Sequence, residues 1–112
     1  MGGDVGHNYR VTSGTSSLAA DLTGNPAVVA GISGHYLSLK RVIVAAVANT
    51  NFIIQTAAGT DLWIQDVLAR QCHVIEFAPR QKEAAVAGEA IHVDTDVSTA
   101  ASVYIECWVT PA

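Results

Sequence analysis

His92 and Asp94 stand two residues apart in a stretch, Ile91 to Thr95, where apolar Ile91 and Val93 alternate with polar positions. On a strand, residues i and i+2 share a face, so this pair presents an imidazole and a carboxylate side by side, as two metal ligands would be. A solvated strand face that simply alternates polar residues accounts for the same spacing. Cys72 and His73 are adjacent and point to opposite faces of any strand they share. No Cys-x-x-Cys or His-x-x-x-His pair occurs, which removes the stronger zinc signals. Gly-x-Ser-x-Gly and phosphate-loop patterns are also absent, and Asp61, Asp66, Glu83 and Glu89 read as solvated loop carboxylates. The sequence therefore predicts no enzyme, no cofactor and no metal centre.

The aromatic residues are a better lead. From Val103 to Val109 the set Val103, Ile105, Cys107 and Val109 alternates with Tyr104, Glu106 and Trp108. If the aliphatic face packs into a core, the other face shows two aromatic side chains to its surroundings, a composition typical of subunit interfaces. Tyr104, Glu106 and Trp108 are thus candidate oligomer-interface residues; the alternative is that an N-terminal arm covers them. A second aromatic position, Trp63 with Gln65 and Asp66, is the one candidate platform for a glycan or receptor.

The elements that must position these residues are short apolar runs separated by turn residues. Strands are predicted near Ala27 to Ile32, Tyr36 to Ala46, Asn51 to Ala57, Leu62 to Gln65, His73 to Ala78, Ile91 to Thr95 and Ala101 to Thr110. Asp61 to Arg70 also fits two helical turns, but the Gly59-Thr60-Asp61 turn ahead of Leu62-Trp63-Ile64 favours a strand. Lys40-Arg41 interrupts the longest strand and predicts a bulge or a passage from core to edge. The Ala-rich Glu83 to Ala90 reads as a loop into the Gly88-Glu89 turn. Residues 1–26, rich in Gly and Ser, read as an extended N-terminal arm with at most one helical turn around Ser17 to Leu22; residues 27–112 form the folded domain. The fold class is all-β, a small antiparallel β-sandwich or jelly roll.

A chain of 112 residues makes one domain, burying about 65% of its unfolded surface. Half its residues are hydrophobic and only 14% are charged, so part of the surface is expected to be covered by partners. A net charge of −4 argues against nucleic acid, and Arg10, Lys40, Arg41, Arg70, Arg80 and Lys82 form no basic run. The longest uncharged stretch, Val42 to Thr60, contains Asn49, Thr50, Asn51 and Gln55, which excludes a membrane helix there. The N-terminus lacks the basic start and apolar run of a secretory signal. Cys72 and Cys107 lie in or beside apolar strands and are expected to be buried free thiols.

The two-histidine signature of the cupin jelly rolls is missing, since neither His73 nor His92 has a second histidine two residues away. The chain instead resembles the small jelly-roll virion proteins of tailed bacteriophages that act as capsid decoration or cement proteins. Gly34-His35-Tyr36-Leu37-Ser38-Leu39-Lys40-Arg41-Val42-Ile43-Val44 is similar to that family's early long strand after a glycine turn. Ala87-Gly88-Glu89-Ala90-Ile91-His92-Val93 resembles its turn into the penultimate strand, and the closing alternation through Tyr104 to Val109 is similar too. The resemblance spans roughly Ala27 to Val109 and rests on β-pattern and turn placement. It implies a protein made in the host cytoplasm and carried on the virion's capsid surface, with the major capsid protein and its own copies, as a homotrimer, for partners. A trimer on a lattice three-fold gains from multivalency, and it stabilises a shell by binding the assembled lattice more tightly than free subunits. Within that picture the arm, through Val5, Tyr9, Val11, Leu18 and Leu22, reaches the capsid or a sister subunit. A receptor- or glycan-binding fibre module on the same fold, using Trp63, Gln65 and Asp66, is the alternative.

Overall fold

Period-two patterning dictates the architecture. The computed structural model describes residues 9–21, 23–25 and 27–112. Eight strands run in the order β1 (Tyr9–Asp21), β2 (Ala27–Val29), β3 (His35–Ala46), β4 (Thr50–Thr56), β5 (Asp61–Val67), β6 (Cys72–Glu76), β7 (Ile91–Thr95) and β8 (Ala100–Pro111). They form two four-stranded sheets, β1-β8-β3-β6 and β2-β7-β4-β5. All pairings are antiparallel: β1 with β8, β2 with β7, β3 with β6 and β4 with β5, while β3–β8 and β4–β7 complete each sheet. Strands equally far from the β4–β5 turn therefore pair, as in one long hairpin rolled onto itself. This is the jelly roll that the sequence predicts. Gly59, at φ 91, closes the central turn, its amide donating to the Thr56 carbonyl at 2.9 Å.

The inward positions form one core. Leu37, Leu39, Val42, Val44 and Ala46 of β3 and Ala101, Val103, Ile105, Cys107 and Val109 of β8 face Phe52 and Ile54 of β4 and Ile91 and Val93 of β7, all fully buried. The open side between edge strands β5 and β6 is filled by Trp63 and Phe77, whose rings meet edge to face at 5.2 Å. The expected bulge occurs at Lys40. Leu39 is level with Cys107 and Arg41 with Glu106, so Lys40 is the extra residue.

Three expectations need adjustment, and one open choice is settled. The segment read as an arm contributes β1, in register with β8 from Tyr9 opposite Val109 to Asp21 opposite Ala100, with a register shift between Thr15 and Ala20. Its Gly and Ser content hides a strand that β8 nevertheless requires, because the backbone groups along that edge of β8 need partners. Residues 17–21 lie in this strand and form no helical turn. The Asp61 to Arg70 ambiguity resolves as a strand with alternating exposure from Trp63 to Val67. Cys72, expected to be buried, is exposed, because it opposite-numbers Ala45 on the outer face of edge strand β6. Cys107 is a buried free thiol, and burial pushes its pKa up to about 12, which keeps it protonated and inert at neutral pH.

Candidate functional site

The first sheet presents an outer face built by register. Residues opposite one another in adjacent strands point the same way, so Val74 of β6, Ile43 of β3 and Tyr104 of β8 form a row across three strands. Cys72, Ala45 and Ser102 form the next row. None of the six is charged, and none is fully buried; Val74 is 59% exposed and Tyr104 38%. The signal for this face lies in the run Val42-Ile43-Val44-Ala45-Ala46, which is apolar on both faces of its strand. Such a run predicts that the second face is covered as well as the core face. The sequence reading singled out Tyr104 and missed Ile43 and Val74.

Beyond this uncharged area the face becomes ionic. Arg41 donates through Nε and Nη2 to Glu76 Oε2 at 2.9 and 2.8 Å. Glu106, only 7% exposed, lies 3.6 Å from Lys40 Nζ and accepts a hydrogen bond from the Tyr104 hydroxyl at 3.4 Å. Lys40 Nζ also stands 5.0 Å from the centroid of the Trp108 ring. The Trp108 indole N–H donates to the Phe77 carbonyl at 3.4 Å. The cover comes from the chain that follows β6. It runs along β3, with Phe77 N donating to Lys40 O, Leu39 N to Lys82 O and Ala84 N to Leu37 O, while Arg80 N donates to Ser38 Oγ at 3.3 Å.

Of the expected interface trio, then, Tyr104 alone is exposed, while Glu106 and Trp108 are covered within the chain. Lys40 and the Phe77 segment supply the cover that the alternative reading gave to an N-terminal arm; β1 sits beside β8 in the same sheet. Truncating Trp108 should consequently damage the fold of each chain. Trp108→Ala is expected to lower the unfolding free energy by about 2–3 kcal/mol in urea denaturation, somewhat below the range for a wholly buried ring. Trp108→Phe, which loses only the N–H donor, is expected to cost about 1 kcal/mol.

The proposed glycan platform does not assemble. Alternation along β5 turns Trp63 and Gln65 inward, with the Trp63 N–H donating to Gln65 Oε1 at 3.2 Å. Asp66 points out on the opposite face and is exposed. Phe77 and Lys82, whose Nζ is 5.7 Å from the Trp63 ring centroid, occupy the indole's free sides. Among the N-terminal positions, Tyr9 and Val11 are level with Val109 and Cys107, and Leu18 falls within the register shift. Val5 and Leu22 lie outside the described residues.

Three of the four carboxylates expected to be solvated have structural partners. Asp61 accepts from Gln55 Nε2 at 2.9 Å and Glu83 from two Arg80 nitrogens at 2.9 Å. Glu89 accepts from the Ala58 and Val86 amides at 3.1 and 3.3 Å, tying the β4–β5 turn to the segment before β7. An open depression of about 330 Å³ at one end of the sandwich is lined by Asn49, Asn51, Asp66, Leu68, Asp96 and Val97. Asp96 accepts from the Asn51 amide and the Thr50 hydroxyl, both at 2.8 Å, and these bonds hold its pKa below the usual carboxylate value. Among the described residues, no three His, Cys, Asp or Glu side chains cluster as metal ligands, and no helix is long and apolar enough to cross a membrane.

No protein family and no curated protein matches the sequence. Among solved structures, the virus-like particle of the giant freshwater prawn Macrobrachium rosenbergii extra small virus is similar at 12% identity and a TM-score of 0.41, over 89% of this chain and 79% of that chain. A likeness that distant assigns neither a family nor a function.

Proposed function

We propose that the chain is a non-enzymatic structural protein of a virion, a capsid decoration or cement protein. In this reading it associates with its own copies, as a homotrimer, through the outer face of the β1-β8-β3-β6 sheet, and it binds the major capsid protein of an assembled shell. The observation that carries the proposal is the uncharged outer face. Six uncharged residues in two adjacent rows, with Val74 59% and Tyr104 38% exposed, leave this surface without charge, as interface centres are. The resemblance of Gly34 to Val44 and Ala87 to Val93 to phage decoration proteins supports placement on a capsid surface after synthesis in the host cytoplasm. The jelly roll itself is shared by capsid proteins, lectins and cupins and does not decide among them. The split between Trp63 and Asp66 leaves the glycan reading without its platform.

The contact is largely apolar, so association should survive high salt. Tyr104→Lys on β8 and Val74→Lys on edge strand β6 each place a charge within the uncharged area without touching the core. Both are expected to reduce the mass seen by light scattering while leaving the β-sheet circular dichroism unchanged; an unaltered mass would remove this face from the contact. Attachment to the shell is tested by co-sedimentation with capsids. The truncation used there should stop at Asn8, because deletion to Pro26 also strips β1 from β8. That larger deletion would report on folding as much as on binding.

A further inference from the structure

We propose that the outer face of the second sheet docks an extended, basic protein segment, seating one lysine or arginine in the depression between Asp66 and Asp96 and an apolar side chain on Ile53 and Ile64. Register builds this face. Ile64 of β5, Ile53 of β4 and Asp94 of β7 lie level in one row. Asp66 and Asn51 form the row on one side of it, and Asp61, Gln55 and His92 the row on the other. Phe52, Ile54 and Val93, which alternate with these residues along β4 and β7, are buried in the core, so the rows point outward. Ile53 and Ile64, the latter 52% exposed, are thus an apolar pair with one carboxylate in each of the three rows.

The charge of this face has no counterpart within the chain. No lysine or arginine occurs in β2, β4, β5 or β7. Lys40 lies against Glu106, Arg41 against Glu76 and Arg80 against Glu83, while Lys82 stands over the Trp63 ring. Asp94 Oδ1 is shielded from solvent and accepts no hydrogen bond, a cost that a cation brought beside the carboxylate offsets. The depression adds the anchoring point. Asp66 and Asp96 line it together with Leu68 and Val97, both exposed. Bonds from the Asn51 amide and the Thr50 hydroxyl keep Asp96 ionised. Carboxylates receive a guanidinium or ammonium head, and exposed aliphatic side chains receive its methylene stem. Successive rows are about 7 Å apart, the distance between alternate residues of a strand. The fitting segment therefore carries a basic, an apolar and a second basic side chain at alternate positions. This contact is ionic in part and weakens with salt, unlike self-association through the first sheet. It does not rest on the virion reading.

The probe is the peptide acetyl-Ser-Arg-Thr-Ile-Thr-Arg-Ser-amide, titrated into the natural chain and followed by the backbone amide resonances. Saturable shifts are expected at Asn51, Ile53, Ile64, Asp66 and Asp94, with none on β3 or β8, and about 0.5 M salt should abolish them. Asp66→Asn and Asp94→Asn should each weaken binding about 2- to 5-fold, with the β-sheet circular dichroism unchanged. Ile64→Ser should weaken it as well, and the peptide with Glu in place of both Arg should not bind. Absence of saturable shifts, shifts centred on the first sheet, equal binding of the Glu peptide, or affinity unchanged in both Asp variants would overturn the proposal. None of these outcomes alters the solution mass or capsid co-sedimentation that test the virion reading.

Discussion

Alanine at position 31 is expected to lower the melting temperature by roughly 10–15 °C, corresponding to about 3 kcal/mol in a domain of this size. A Cβ built on Gly31 falls 1.9 Å from the Gly88 carbonyl oxygen, 2.8 Å from its carbon and 3.0 Å from the Glu89 carbonyl carbon. All three are backbone atoms, so no side chain can swing aside to make room. Gly88 is itself constrained: it sits at φ 87 and donates its amide to His35 O at 2.8 Å. Moving it also disturbs Glu89, whose carboxylate holds the Ala58 and Val86 amides. One methyl group therefore pushes apart the approach to β3, the turn before β7 and the central β4–β5 turn. Gly24→Ala is the control, because nothing lies within 4 Å of its Cβ and its φ is not in the left-handed region. It should change stability by about 0.5 kcal/mol or less. Equal thermal melts for the two variants would contradict the close approach of these loops.

Phe52→Ala is expected to remove about 4 kcal/mol, the cost of lost burial plus the cavity left behind. Phe52 is the largest of the fully buried side chains. It sits on β4 between Thr95 of β7 and Gln65 of β5 in the sheet register, and it faces a core made chiefly of Val, Ile, Leu and Ala. Short branched side chains held by two hydrogen-bonded sheets cannot reach across to fill the space of a phenyl ring. Since domains of this kind are stable by about 5–15 kcal/mol, the variant should stand near the limit of folding at 37 °C. Chemical denaturation checks this directly. A loss under about 1 kcal/mol would mean that the sandwich collapses around the vacancy or that Phe52 does not occupy the centre. Phe52→Leu, which keeps most of the volume, should retain the larger part of the stability.

The parts of the fold that were legible in the sequence are those where one residue type repeats every second position. Ile91 to Thr95 matches its strand residue for residue, and the expected Ala101 to Thr110 differs from β8 by a single residue at each end. Lys40-Arg41 also announced its bulge, because strict alternation would turn one of two successive cations into the core. Tyr9 to Asp21 was not legible as sheet. Its Gly, Ser and Thr carry almost no periodic signal, and the strand forms because β8 offers a long unpaired edge. Cover over Trp108 was invisible for a different reason: Phe77 reaches it only through the tertiary path of the chain after β6. The separation of Gln65 from Asp66, by contrast, follows from alternation alone, since neighbours on a strand face opposite ways. The outer face was half legible. Tyr104 stood out as an aromatic residue on a polar face, whereas Ile43 and Val74 acquire their meaning only when β6, β3 and β8 align.

Solution mass, measured by light scattering at low and high salt on the natural chain and on Tyr104→Lys, decides whether the outer face of the first sheet is a self-association surface. A species of three times the 11.7 kDa chain mass that persists at high salt is expected, with a shift toward the single-chain mass in Tyr104→Lys. A single-chain mass at every concentration and salt, or an oligomer indifferent to the charge at position 104, would contradict self-association through the outer face of the first sheet.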